Sequence, residues 1–210
     1  MHAVPLPQQR SSAGFHARAT LHELPGEART VSTAVARAKQ GDREAIRFLY
    51  VRYSPNIYGY VRSIVQDDHE AEDVTQQVFA KLMTVLGKYD DRGVPFFAWL
   101  LRLARNVAID HVRGRRAAPA AEIFGADRRA DDTATDRSRC LQEALAALPD
   151  EQRSVVVLRH VIGLTPGEIA SALGRTESSV HGLHHRGRRA LQAELATRES
   201  APSTAVLAAA

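Results

Sequence analysis

A dense group of carboxylates lies between residues 67 and 73. Asp67, Asp68, His69 and Asp73 are side chains of the kind that hold catalytic divalent cations, so the sequence allows a metal-dependent hydrolase. The same segment directly precedes a run of apolar residues at helical spacing, and carboxylates at a helix N-terminus are stabilised by the helix dipole. We therefore expect these residues to begin a helix rather than to perform catalysis.

Aromatic and basic side chains are both concentrated between residues 89 and 116, a combination that suits unstacked bases and phosphates. Trp99, Asn106 and Arg113 fall, with Arg102 and Asp110, in a helical stripe about 80° wide at 100° per residue. The alternative is that the aromatic residues belong to the core and that the arginines lie on a solvated face. The candidates for binding a single DNA strand are Tyr89, Arg92, Trp99, Arg102, Asn106, Arg113, Arg115 and Arg116.

A helix-turn-helix pattern begins at residue 165. Thr165 and Glu168 form a capping box with Pro166 at the first helical position. Gly174 suits the turn, and Thr176 is an N-cap for the helix that follows. These signals predict two helices joined by a tight turn.

The second helix of this pattern has an apolar face, with Val180 and Leu183, and an opposite polar and basic face. Such a helix fits a major groove, where its first residues face base edges and its arginines reach phosphates. A helical hairpin with a solvated face is the alternative. The candidates on this helix are Thr176, Ser178, Ser179, His181, His185, Arg186, Arg188 and Arg189. We expect no metal site at its histidines, because no cysteine or carboxylate stands at ligand spacing.

Apolar residues recur at helical spacing along the whole chain, which predicts an all-α protein of two small helical domains joined by a flexible linker. The helix that carries Trp99 is expected to run from Pro95 to Gly114, with proline just inside its start and glycine just past its end. The expected boundaries are a disordered extension over 1–31, a first domain over 32–116, a linker over 117–139, a helix-turn-helix domain over 140–197 and a disordered tail over 198–210.

The composition excludes several classes of protein. The chain has 210 residues with Lys+Arg 28 and Asp+Glu 24, a net charge of +4, so attraction to a polyanion depends on where the charges lie. Its one cysteine, Cys140, excludes an internal disulfide. No run approaches the ~18 apolar residues of a membrane span, so we expect a cytoplasmic protein without membrane insertion. Since it has no phosphate-binding glycine loop, nucleophile elbow or paired-histidine metal helix, we expect neither an enzyme nor a cofactor.

Several motifs in fixed order resemble those of bacterial RNA polymerase sigma factors of the extracytoplasmic function (ECF) subgroup. The segments GDREAIRFLYVRYSPNIYGYVRSIV, DDHEAEDVTQQVFAKLM and FFAWLLRLARNVAIDHVRGRR are similar to successive parts of the family's region two. The segment ALAALPDEQRSVVVLRHVIGLTPGEIASALGRTESSVHGLHHRGRRAL is similar to region four. The resemblance covers residues of about 33–116 and 140–196.

This resemblance implies that the protein binds core RNA polymerase and promoter DNA. It implies a polymerase-docking helix with Asp73, Gln76, Gln77 and Phe79, with glutamine at 77 where the family commonly has glutamate.

The resemblance also assigns roles to the two candidate DNA-binding groups. The segment before Trp99 and the helix that carries it match the elements that open and read the minus-ten promoter element, and the helix after Thr176 matches the reader of the minus-thirty-five element. It implies, in addition, an anti-sigma partner. A two-domain helix-turn-helix regulator that is not a polymerase subunit is the alternative function.

Overall fold

Apolar stripes at helical spacing become the buried faces of packed α-helices. The computed structural model describes residues 25–90, 94–117 and 133–200, and the regular structure within these ranges is helical, which confirms the all-α prediction. In chain order the helices are α1 (Pro25–Lys39), α2 (Arg43–Val65), α3 (Asp68–Val85), α4 (Phe96–Ala117), α5 (Thr133–Ala146), α6 (Asp150–His160), α7 (Pro166–Leu173) and α8 (Glu177–Ser200), with a 3-10 turn at Leu86–Lys88.

The first helix begins within the segment that was expected to be disordered. α1 starts at Pro25, and Val31 is buried with Val35 and Ala38. These three positions are spaced i, i+4 and i+7, so they share one face that packs against α2. The expected disorder over 1–31 is therefore wrong for residues 25–31, and residues 1–24 lie outside the described ranges.

Other expected boundaries also differ from the structure. α4 runs through Gly114 to Ala117 instead of ending at the glycine. A glycine inside a helix lowers the stability of that helix by about 1 kcal/mol relative to alanine, and the flanking helical turns can offset this loss. α5 begins at Thr133, inside the expected linker of 117–139, and α8 continues to Ser200, beyond the expected end at 197.

α2 is the central helix of the N-terminal domain, which consists of α1 to α4. The carboxylate of Asp42 caps it by accepting hydrogen bonds from Glu44 N at 2.9 Å and Ala45 N at 3.2 Å. Tyr53 and Ile57 on this helix are fully buried, and the Tyr53 ring stacks on Phe97 of α4 with centroids 5.1 Å apart. This packing holds α4 against α2.

The C-terminal domain, α5 to α8, contains the helix-turn-helix. The capping box of Thr165 and Glu168 is present at the start of α7, and Gly174 ends that helix with a left-handed φ of 64°. The Thr176 hydroxyl accepts a hydrogen bond from Ser179 N at 3.2 Å, and Val180 is buried. The turn and the start of α8 are thus formed as the sequence predicts.

The two domains pack directly against each other, α4 against α7 and α2 against α6. Arg153 of α6 is 7% exposed, and its Nη1 donates to the Ser63 carbonyl of α2 at 3.4 Å. Arg102 of α4 donates to the Ser171 carbonyl of α7. Burial raises the pKa of Tyr60, which lies next to α6, to about 12, so its phenol stays protonated. The helices of both domains therefore share one hydrophobic core.

Candidate nucleic-acid interface

The outward side of α8 is polar, basic and accessible. Its exposed residues include Ser178, His181, His185, Arg186, Arg188 and Arg189, together with the N-cap Thr176, whereas Ser179 is half-buried. Among the described residues, no carboxylate forms an ion pair with the three arginines. Their charges are therefore available to an external anion.

A small residue lies in the middle of this side. The Nη1 atom of Arg186 is 3.4 Å from the position that a Cβ atom at Gly182 would take. The guanidinium of Arg186 therefore extends across Gly182. Because glycine has no side chain, the guanidinium can lie close to the backbone of α8 at this point.

The aromatic candidates at the start of α4, Tyr89 before the helix and Trp99 in its first turn, form a packed cluster rather than an open platform. Tyr89 is 6% exposed, its hydroxyl donates to the Val94 carbonyl at 3.0 Å, and its ring centroid is 5.2 Å from that of Trp99. Lys39 of α1 donates from Nζ to the Tyr89 carbonyl at 2.6 Å. These contacts fix the chain at the entrance to α4 and leave Trp99 half-buried. Arg92 lies outside the described residues.

The polar stripe of α4 is divided between three surroundings. Asn106 and Arg113 are exposed, whereas Arg102 is held by the Ser171 carbonyl of the other domain. Arg115 turns toward α3, where its Nη1 lies 2.7 Å from an oxygen of Glu70. Arg116 is in the last turn of α4, and its side chain is not among those that the structure describes. Asn106, Asp110 and Arg113 are thus exposed on the stripe, and Arg102 is exposed but hydrogen-bonded to the other domain.

The acidic segment has structural roles. Asp67 caps α3 by accepting a hydrogen bond from Glu70 N at 2.9 Å, and Asp68 accepts one from Arg62 Nη2 at 3.1 Å. Within the described ranges, no three potential metal-ligating side chains converge. Asp67 therefore begins the helix as a cap, as expected for a carboxylate at a helix N-terminus, and Asp68 pairs with a neighbouring arginine.

Three of the four expected docking residues lie on the accessible side of α3, and the fourth is buried. Asp73, Gln76 and Gln77 are exposed, whereas Phe79 is 8% exposed beneath the ring of Tyr50, with centroids 4.8 Å apart.

Apolar side chains around this contact were missed by the sequence analysis. Phe48, Tyr50, Val51 and Met83 are all more than a third exposed, Val51 by 64%. The signal was present in the uninterrupted apolar run from 48 to 51, since four successive residues encircle a helix and cannot all face one core. The surface beside α3 is therefore more apolar than its exposed glutamines suggest.

Comparisons with known proteins identify the two domains. Residues 49–118 match the family description Sigma-70 region 2, and residues 138–191 match Sigma-70, region 4. ECF RNA polymerase sigma factor SigD of Mycobacterium tuberculosis H37Rv is 35% identical over 177 residues, which cover 79% of this chain and 84% of that protein. The chain belongs to the ECF RNA polymerase sigma factors. A second relative, the RNA polymerase sigma-H factor of Pseudomonas aeruginosa, is 30% identical over 177 residues, which cover 77% of this chain and 91% of that protein.

Two solved structures are similar to this chain in fold. CnrH, in complex with the cytosolic domain of CnrY, is 29% identical with a TM-score of 0.64 and covers 79% of this chain and 96% of that one. The sigma factor RpoE, in complex with the anti-sigma factor NepR from Bartonella quintana, has the same fold at 20% identity and a TM-score of 0.57, over 71% of this chain and 95% of that one.

Membership of the family settles the general activity. An ECF sigma factor binds core RNA polymerase and directs it to promoters, so this protein is a transcription initiation factor, in a family of regulators rather than enzymes. None of the described helices has the length and apolarity needed to cross a bilayer.

Proposed function

We propose that three surfaces of this sigma factor divide the work of promoter recognition. The exposed side of α3 docks on core polymerase, the α4 stripe binds the opened minus-ten strand, and the outward side of α8 binds the minus-thirty-five duplex. The observation that supports this proposal is the surface of α8. Its exposed arginines lie on the second helix of a fully formed helix-turn-helix. In such a motif the second helix enters the major groove.

The division of labour has an energetic reason. Opening a promoter costs unstacking and unpairing energy, and capture of an extruded base in a protein pocket offsets that cost. Asn106 and Arg113 supply accessible amide and guanidinium groups for such capture on α4. A second domain that holds the duplex upstream raises the effective concentration of the first at its site. Neither domain then needs to bind tightly alone.

The packed arrangement of the domains has to open for both elements to be bound at once. The centres of the two promoter elements are about 85 Å apart at 3.4 Å per base pair, whereas α4 and α7 are in contact. Residues 118–132, between α4 and α5, span at most about 50 Å when fully extended, which together with the width of the domains covers the distance. We infer that the packed form is the free state and the separated form the promoter-bound state.

An anti-sigma protein fits this scheme as the partner that maintains the packed state. CnrH was solved with the cytosolic domain of CnrY, and RpoE with an anti-sigma factor. In the present protein, the hydrogen bond from Arg102 to the Ser171 carbonyl already engages a candidate minus-ten residue with the other domain. A protein bound across both domains would prevent its release. We place this regulation in the cytoplasm, where the polymerase acts.

Reconstituted transcription tests the proposal. Promoters are first mapped by sequencing transcript ends after induced expression, and purified protein is then added to core polymerase on those templates. We expect initiation that depends on both protein and promoter. A helix-turn-helix regulator would instead bind duplex DNA without core polymerase and would not compete with other sigma factors. Failure to associate with core polymerase would refute the proposal.

The docking surface has its own test. Gln77→Ala and Asp73→Ala should each weaken competition with another sigma factor for core polymerase, while binding of the upstream duplex is retained. Gln192→Ala, an exposed glutamine on α8, is the matched control and should compete normally. Equal competition by all three variants would remove α3 from the docking surface.

A further inference from the structure

Two histidine rings meet where the end of α6 touches the middle of α8. The Nε2 atoms of His160 and His184 are 2.8 Å apart, and the rings stack with centroids at 5.0 Å. A contact of this length between ring nitrogens requires that one carries a hydrogen and the other accepts it. The two rings therefore share one N–H between their Nε2 atoms, and at least the accepting ring is neutral.

The charged and titratable groups that face this pair are basic. They are Arg159 on α6 and, on α8, Arg188 and His181. Burial and then the charges of Arg159 and Arg188 lower the pKa of His160. Burial, the partner ring, the same two arginines and His181 lower the pKa of His184. Burial and these charges thus favour the neutral form of both rings inside a region of positive charge.

The position of the pair relates it to the DNA-binding side of α8. His181, His184 and Arg188 are spaced i, i+3 and i+7, so they share one flank of the helix. This flank borders the outward side that carries His185 and Arg189. When a helix lies in the major groove, its flanks face the phosphates at the groove edges.

We propose that the His160–His184 pair is a protonation-linked binding site for a backbone phosphate of the upstream duplex. The site rests on the proposed placement of α8 in the major groove. It assigns DNA contact to His160, which lies outside the helix-turn-helix, and to His184, which lies outside the predicted set of contact residues.

Proton uptake from solvent accompanies phosphate binding. The proton adds to the Nε2 atom that accepts in the free protein, so that both Nε2 atoms become donors and can no longer bond to each other. One ring then turns and donates to a phosphate oxygen. The negative charge of the phosphate compensates the repulsion from Arg159 and Arg188 that opposes the proton in its absence. One N–H bond forms, and no other covalent bond changes.

The sign of the pH dependence follows from linkage. The free pair has lowered pKa values, and the bound phosphate raises one of them, so the complex holds more protons than the free protein between these two values. Affinity for the duplex must then rise as the pH falls through that interval, by at most about tenfold per pH unit for one proton.

Fluorescence anisotropy of the full chain with a labelled upstream duplex, taken from a mapped promoter, tests the site between about pH 6 and pH 8. We expect the wild-type dissociation constant to fall by about tenfold over this range on acidification. His160→Asn removes one ring of the pair on α6, and His184→Asn removes the other on α8. Each variant should reduce the change in dissociation constant over this pH range to less than about twofold. Circular dichroism at each pH verifies that the variants are folded.

Two further histidines provide the controls. His69→Asn, in the other domain, should bind like wild type at every pH. His185→Asn, on the outward side of α8, should bind more weakly but keep the wild-type pH dependence. A pH-independent wild type, or a dependence retained in either pair variant, would overturn the site. No duplex binding at any pH would overturn the proposed role of α8, and the phosphate site with it.

Discussion

Gly187 of α8 lies directly against Val156 of α6. A Cβ atom at residue 187 would be 2.9 Å from Cγ2 of Val156 and 3.1 Å from the carbonyl oxygen of Gln152, both closer than ordinary van der Waals contact. The carbonyl belongs to the backbone of α6 and cannot rotate away. The absence of a side chain at residue 187 therefore sets the distance between the helix that carries the basic surface and the helix that supports it.

Gly187→Ala should destabilise the protein. Alanine gains about 1 kcal/mol of helix propensity over glycine, but overpacking against α6 costs about 1–3 kcal/mol and also forces the helices apart. We expect a lower urea midpoint and weaker binding of the upstream duplex, measured by circular dichroism and anisotropy. Gly59→Ala in α2 is the control, because nothing lies within 4 Å of the added methyl group. It should be neutral or stabilising, and a similarly neutral Gly187→Ala would contradict the tight contact.

Arg189→Ala should weaken upstream-duplex binding and reduce its salt dependence. Loss of one phosphate contact lowers the slope of log K against log salt by about 0.9. Arg198→Ala removes the same charge from the same helix, but Arg198 pairs with Glu143 at 2.9 Å, so its slope should stay at the wild-type value. Titrations at several salt concentrations measure both, and an unchanged slope for Arg189→Ala would exclude a phosphate role.

Asn106→Ala should affect only the minus-ten element. Its amide is exposed on α4, where it can donate to and accept from the edge of an unpaired base. Transcription from templates with single base changes should show poorer discrimination in the minus-ten element, while anisotropy with the isolated upstream duplex stays unchanged. Equal losses at both elements would refute the separate roles of α4 and α8.

The two domains should separate when core polymerase binds. Fluorescent labels on Thr33→Cys and Gln192→Cys, in a Cys140→Ser background, place one dye on each domain at exposed positions. We expect efficient energy transfer in the free protein and a marked decrease in the holoenzyme. With Gln77→Ala added, more core polymerase should be needed for the same decrease. Unchanged transfer after holoenzyme formation would contradict an opening step.

The carboxylate of Asp42 should make the folding stability of the protein decrease at acid pH. Hydrogen bonds from the Ala45 backbone and the Arg37 side chain lower its pKa from the ordinary value of 3.8. A lowered folded-state pKa contributes stability above the unfolded value, and this contribution is lost as the pH falls through the folded value. Asp42→Asn keeps a capping side chain without the charge. It should be less stable than wild type at neutral pH, and the difference should shrink below about pH 4. Urea unfolding across this range measures it, and a constant difference would contradict the assignment.

Local features of this protein could be predicted from its sequence. The capping box of Thr165 and Glu168, the turn at Gly174 and the opposed apolar and basic faces of α8 involve residues within a few positions of one another. Backbone geometry alone places such neighbours, since 3.6 residues complete each helical turn. The exposed residues of α3 and α8 followed from the same periodicity.

Contacts between distant parts of the chain could not be predicted in this way. The Arg102 contact with Ser171 joins positions 69 residues apart, and the Arg115 contact with Glu70 joins positions 45 apart. Both arginines had the sequence signature of DNA contacts, but their partners depend on how whole helices pack.

Sequence by itself determined that this chain forms amphipathic helices, a helix-turn-helix and the motifs of an ECF sigma factor, because those properties depend on nearest neighbours along a helix. Tertiary structure alone decided that α4 faces α7, that His160 meets His184 and that residue 187 lies too close to α6 for a side chain to fit without strain. Each of these contacts depends on side chains that are brought together when a shared apolar core is buried. The free energy of that burial arises from all the packed helices together, so no single segment of the sequence determines it.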